Sequence, residues 1–90
     1  MKLEETAAWM LSTDYKDRFK AEYAQTWIRY KKLDGLLKKW DMEVLDFKPL
    51  CPRSAYDIQI AAMKQYLAIL ETRAVIEGID ISEIQARMRG

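Results

Sequence analysis

Residues 54–77 read SAYDIQIAAMKQYLAILETRAVIE, a run with no glycine or proline. Within it Tyr56, Ile60, Met63, Leu67, Leu70 and Ala74 recur at steps of four, three, four, three and four, the spacing that lines side chains along one face of an α-helix. Ile58, Ala62, Tyr66, Ile69 and Ile76 make a second stripe beside the first. Together the stripes cover roughly half of the circumference, where a surface helix carries an apolar band of about 100°. One neighbouring helix cannot cover that width. The doubled stripe therefore predicts a symmetric homo-oligomer, with Ile58, Ala62, Tyr66, Ile69 and Ile76 at the interface.

Upstream, residues 14–41 repeat the helical pattern through Tyr15, Phe19, Tyr23, Tyr30, Leu33, Leu37 and Trp40. Gly35 lies inside this stretch at a cost of up to ~1 kcal/mol against alanine, but the stripe runs on to Trp40, so one long helix is expected. Between the two helices, MEVLDFKPLCPR (42–53) holds Pro49 and Pro52, which forbid a continuous helix. Leu45, Phe47 and Leu50 make this connector apolar enough to fold over one end of a hairpin. Ser54, with Asp57 three residues on, resembles a capping box. Gly78 is placed to stop the second long helix.

At the N-terminus, residues 3–11 predict a short helix with Leu3, Ala7, Met10 and Leu11 on one face and Trp9 beside it. At the other end, Ser82 with Gln85 resembles a second capping box, and the basic tail carrying Arg87 and Arg89 is expected to fray. The expected architecture is all-α: an antiparallel helical hairpin with short flanking helices, in a single helical domain over 1–90. Its parts are a short helix 3–11, a long helix 14–41, a connector 42–53, a long helix 54–77 and a C-terminal segment 78–90.

Half of the 90 residues are hydrophobic and 32% are charged, which excludes a disordered tail. A net charge of +1 gives no overall pull toward nucleic acid or an anionic membrane. The opening MKLEETAAWML has acids where an export signal needs an apolar core. One cysteine, Cys51, excludes an internal disulfide and is expected as a buried, inert thiol. These features predict a cytoplasmic protein. With no histidine, a Ser-His or Cys-His nucleophile is excluded, and so is the commonest metal ligand. Three glycines scattered at 35, 78 and 90 make no phosphate-cradling loop. Neither enzyme activity, a cofactor nor a metal is expected.

Three features suit ligand binding. Lys20, Trp27, Lys31 and Lys38 line one edge of the first long helix, a flat ring among cations that suits a nucleobase and its phosphates; such lysines also serve simply to cover an apolar stripe with their stems. Arg53 and Ser54 stand at a helix start, where free N–H groups and a guanidinium attract anions. Arg73 and Tyr66 lie on the second stripe, as interface residue types. The aromatics Tyr15, Tyr23, Tyr30, Trp40, Tyr56 and Tyr66 are expected on inner faces.

The segments DYKDRFKAEY (14–23), Lys39-Trp40-Asp41, Phe47-x-Pro49-x-Cys51-Pro52-Arg53-Ser54, Tyr66-Leu67-x-x-Leu70-Glu71-x-Arg73-Ala74 and Glu77-Gly78-Ile79 resemble a family of short proteins from phages and prophages of Gram-positive bacteria. The layout is also similar to the helical-hairpin phage proteins that sequester nucleotide immune signals of the CBASS and Thoeris defences. That likeness implies an oligomer with ligand pockets between subunits, in the host bacterial cytoplasm. It would bind a cyclic oligonucleotide or a cyclic ADP-ribose type signal without catalysis, with Arg53, Lys20, Lys31 and Arg73 meeting phosphates and Trp27 or a tyrosine stacking on the base. The alternatives are a protein-binding inhibitor of a host defence protein, of anti-CRISPR type, and a structural accessory of the phage particle.

Overall fold

A carboxylate starts the longest helix. Asp14 accepts a hydrogen bond from the Lys16 N–H at 2.9 Å, satisfying one of the donors that a helix leaves free at its first turn. The computed structural model describes residues 1–89. Among them a 3-10 turn, Leu3–Thr6, runs directly into α1, Ala7–Met10; then follow α2, Tyr15–Asp41, α3, Arg53–Glu77, and α4, Ser82–Arg89. No strand occurs among the described residues, and the fold is all-α. Arg53 meets Asp41 at one end of the α2–α3 pair and Tyr15 meets Glu77 at the other, so the two helices run antiparallel.

Both long helices end in the same way. After α3, Gly78 turns left-handed at φ 68° and the Ile79 N–H reaches the Ala74 carbonyl at 2.9 Å. After α2, Glu43 takes the left-handed turn at φ 60°, and the Val44 N–H reaches the Lys39 carbonyl at 3.0 Å. Gly35 neither ends nor breaks α2, which runs through it. The starts differ from expectation. α3 begins at Arg53 behind Pro52, with no side-chain cap, and the Asp57 carboxylate goes to Arg53 Nε at 3.0 Å. Ser54 therefore lies within the first turn and makes no capping box. At α4, Asp80 takes the capping role, accepting from the Ser82 N–H at 3.0 Å and the Ser82 hydroxyl at 2.6 Å.

The core draws Phe19, Tyr23, Ala24 and Ile28 from α2 and Leu67, Leu70 and Ala74 from α3. Ile79, Ile81, Ile84 and Met88 complete it. The tail is thus a docked helix rather than a frayed end, because Ile81, Ile84 and Met88 share one face at steps of three and four. Fully burying a side chain of this size contributes about 1.5–3 kcal/mol. At the N-terminus the inner residues are Leu3, Trp9 and the fully buried Thr6, while Leu11 is exposed and Met10 is half-exposed with its sulfur accepting from Gln25. Thr6 donates to the Leu3 carbonyl at 2.7 Å and accepts from Gln25 Nε2 at 2.9 Å, which fixes that rotation.

One polar group sits at the centre. Tyr23 is completely buried, and its hydroxyl donates to Glu71 Oε2 at 2.5 Å while accepting from Trp27 Nε1 at 2.8 Å. Gln85 Nε2 reaches the same Glu71 oxygen at 3.3 Å, so α2, α3 and α4 meet at one carboxylate. Burial and the Glu71 hydrogen bond push the Tyr23 phenol above its ordinary pKa. Replacing Tyr23 with Phe leaves the Trp27 N–H without its acceptor and removes a donor from Glu71. The expected loss is roughly 2 kcal/mol of unfolding free energy, read by urea denaturation.

Candidate ligand-binding site

The two arginines expected to meet phosphates are engaged within the hairpin. Arg53 binds Asp41 through two nitrogens, at 2.6 and 3.3 Å, and its guanidinium lies 5.4 Å from the Trp40 ring centre. With Asp57 also bound, its charge is matched by two carboxylates. Arg73 repeats the arrangement at the far end. It stands 5.2 Å from the Phe19 ring, donates to Glu77 at 3.2 Å and to the Tyr15 hydroxyl at 2.8 Å. In each case an α3 arginine stacks on an α2 aromatic, and the guanidinium serves as a clamp between helices.

The other predicted residues are not brought together. About 30 Å of helix separates Lys20 from Asp41, the partner of Arg53, so one small ligand cannot touch both in a single subunit. Lys20 lies near Asp80, whose carboxyl is held low mainly by its hydrogen bonds from Ser82, with a smaller pull from Lys20. Lys31 Nζ donates to the Met88 carbonyl at 2.6 Å, tying down α4, and Lys38 pairs with Asp34 at 2.9 Å. Trp27 gives its N–H to Tyr23, meets Tyr30 edge-on at 5.6 Å, and borders a cleft of about 210 Å³ with Lys64 and Arg89. Ser54 is exposed.

The second stripe of α3 is bare. Ile58 is 72% exposed, Ile69 55% and Ile76 77%, and Ala62 is exposed beside them. Tyr66 is half-exposed and turns its hydroxyl to Glu22. Tyr15 is likewise half-exposed, so these two tyrosines lie at the edge of the α2–α3 seam, each bonding across it, rather than in the core.

The connector also departs from expectation. Leu50 is fully exposed, Phe47 is about half exposed, and Cys51 is exposed rather than buried. After the left-handed turn at Glu43, Val44–Phe47 lie opposite the α2 residues 31–39. Two adjoining hollows result. One, of about 600 Å³, lies among Trp40, Leu45, Phe47, Pro49 and Leu50. The other, of about 360 Å³, lies between Val44–Phe47 and the α2 residues Lys32, Gly35, Leu36 and Lys39. Lys32, Leu36 and Lys39 were not singled out by sequence reasoning. Their signal is spacing: with Gly35 they fall on one helix face at steps of three, one and three.

Among the described residues no group of three or more His, Cys, Asp or Glu side chains is placed to hold a metal ion, and no helix is long and apolar enough to cross a membrane. In comparison with known proteins, a family model described as Sequestin matches residues 13–76, which span α2, the connector and nearly all of α3. No curated protein and no solved structure matches the chain.

The Arg53 clamp sets an acid response. Asp41 is held below its ordinary range chiefly by its hydrogen bond from Arg53. A depressed carboxyl contributes stability above its unfolded value and loses it as pH falls through the folded one. The unfolded value is about 3.9, so the connector end is expected to hold from neutral pH down to about pH 4 and to loosen below it. Hydrogen exchange at Met42–Val44 reads this, and in Asp41→Asn the same amides should exchange faster at neutral pH, with no further acid step.

Proposed function

The chain belongs to the Sequestin family, and from that membership we propose that it binds and withholds a nucleotide-derived immune signal without transforming it. The ligand class is a cyclic oligonucleotide or a cyclic ADP-ribose type molecule, and the setting is phage counter-defence in the host bacterial cytoplasm. The observation that carries this reading is where the family match falls: on the hairpin itself, from residue 13 to residue 76. The family's name suggests sequestering, which suits a binder rather than an enzyme.

Withholding a signal consumes one site per molecule held, so affinity matters more than turnover. Self-assembly would help by adding stability to a 90-residue chain. The bare stripe of Ile58, Ala62, Ile69 and Ile76 supports a homo-oligomer formed through α3. An exposed apolar strip of this kind marks an interaction surface.

A panel of cyclic di- and trinucleotides and cyclic ADP-ribose compounds tests the function by thermal melting. A specific ligand at 100 times its Kd is expected to add about 2.7 kcal/mol of stability. No shift with any member, together with stoichiometric capture of one host defence protein, would instead identify a protein-binding inhibitor.

The assembly has a separate test. Ile69→Asp and Ile76→Asp change side chains that touch little in the subunit. Each is expected to leave the melting of the monomer nearly unchanged while reducing the mass in sedimentation equilibrium to one chain. A wild-type protein already at the mass of one chain at tens of micromolar contradicts the interface.

A further inference from the structure

The α2 face that receives the N-terminal segment continues past it. Gln25 on that face bonds Thr6 and Met10. Beyond it the same face presents Lys32 and Lys39, both exposed, with Gly35 and Leu36 half-buried between them. Val44–Phe47 of the connector form the opposite wall of the 360 Å³ cleft. Gly35 is its floor: a Cβ built at this position meets nothing within 4 Å. Glycine is the least favourable residue in a helix interior after proline, and here no packing requires it.

Two cations of the cleft are unpaired. Its lining holds Lys31, Lys32 and Lys39 against one acid, Asp46. The Lys31 ammonium is occupied by the Met88 carbonyl. Lys32 and Lys39 have no ion-pair partner among the described residues. They bracket Gly35 from either side, about 10 Å apart along the helix. Phe47 and Leu45 belong to this cleft and also to the neighbouring 600 Å³ hollow, whose further walls include Trp40, Pro49 and Leu50. A cationic compartment therefore opens beside an apolar, aromatic one across a shared wall. That is the complement of a phosphate joined to a flat ring, and both volumes fall in the range of about 300–1,000 Å³ usual for small-molecule sites.

We propose that these joined compartments are where each subunit holds its ligand: phosphate between Lys32 and Lys39 over the bare backbone of Gly35, ring against Phe47. The proposal rests on the sequestration reading above and moves the binding residues from Arg53, Trp27 and Arg73 to the connector side of α2. It also gives a use to the uncovered Phe47.

Amide NMR locates the site. Inorganic pyrophosphate, then cyclic di-AMP and cyclic ADP-ribose, are titrated into the full chain. The amides of Gly35, Leu36 and Val44–Phe47 are expected to shift. Lys39→Gln should weaken the bound nucleotide about tenfold, the scale of one charge-assisted hydrogen bond. Gly35→Ala puts a methyl group on the cleft floor while favouring the helix, so it should weaken binding by a similar factor and melt no lower than wild type. Arg29→Gln, on α2 outside the cleft, should bind as wild type does. A nucleotide that stabilises the protein but shifts amides only near Arg53, Trp27 or the α3 stripe, or that binds Gly35→Ala unchanged, overturns this site and leaves sequestration standing. If no amide responds to pyrophosphate or to any nucleotide, both fall.

Discussion

The hydrogen bond from the buried Tyr23 hydroxyl to Glu71 sets the rotation of α3, and the rest of the molecule follows from that rotation. Glu71 lies on the same side of α3 as Leu67, Leu70 and Ala74, which are buried. Turning α3 to bury its isoleucines would pull this carboxylate away from Tyr23 and from Gln85, leaving the buried Tyr23 O–H without its acceptor at a cost of about 1–3 kcal/mol. The polar pair thus selects which of two apolar stripes faces the core. The stripe of Ile58, Ile69 and Ile76 is left on the surface as a consequence, which is the physical ground for expecting identical chains to meet there.

At the two ends of the hairpin the same chemistry recurs in mirrored places. Arg53 on Trp40 and Arg73 on Phe19 each join a cation, an aromatic face and at least one carboxylate. These exposed pairs are individually modest in stability. Their effect is geometric: they set the register of α2 against α3 and leave the middle of the hairpin to the hydrophobic core. They also remove two guanidiniums from the pool of groups free to meet an anion, which is why the free cations of α2 at Lys32 and Lys39 become informative.

Periodicity in the sequence carried the all-helical class, because it depends only on which residues repeat along the chain. The apolar steps of residues 14–41 and 54–77 and the left-handed stop at Gly78 are local signals of that kind. Burial was harder to read. Phe47, Leu50 and Cys51 are apolar residue types that the path of the connector leaves exposed, and that path turns on a left-handed Glu43 that no composition rule flags. Ile81, Ile84 and Met88 had the spacing of a docked helix, but the run was short and its basic ends suggested fraying. For the candidate site, arginine and tryptophan are residue types that suit phosphates and bases. Whether a guanidinium is free or already paired depends on contacts across the fold, such as Asp41 with Arg53, that spacing along one helix does not contain. Gly35 was visible only as a helix cost; its meaning as a cleft floor needs the connector in place.

A sequestering protein differs from an enzyme in one physical respect: the ligand leaves with every bond it arrived with. The most direct measurement is to load the protein with cyclic di-AMP or cyclic ADP-ribose, hold it for hours, denature it, and weigh what is released by mass spectrometry. The intact cyclic molecule is expected, recovered in simple proportion to the protein chains. Recovery of a linear or hydrolysed product, or of no nucleotide at all, would contradict sequestration.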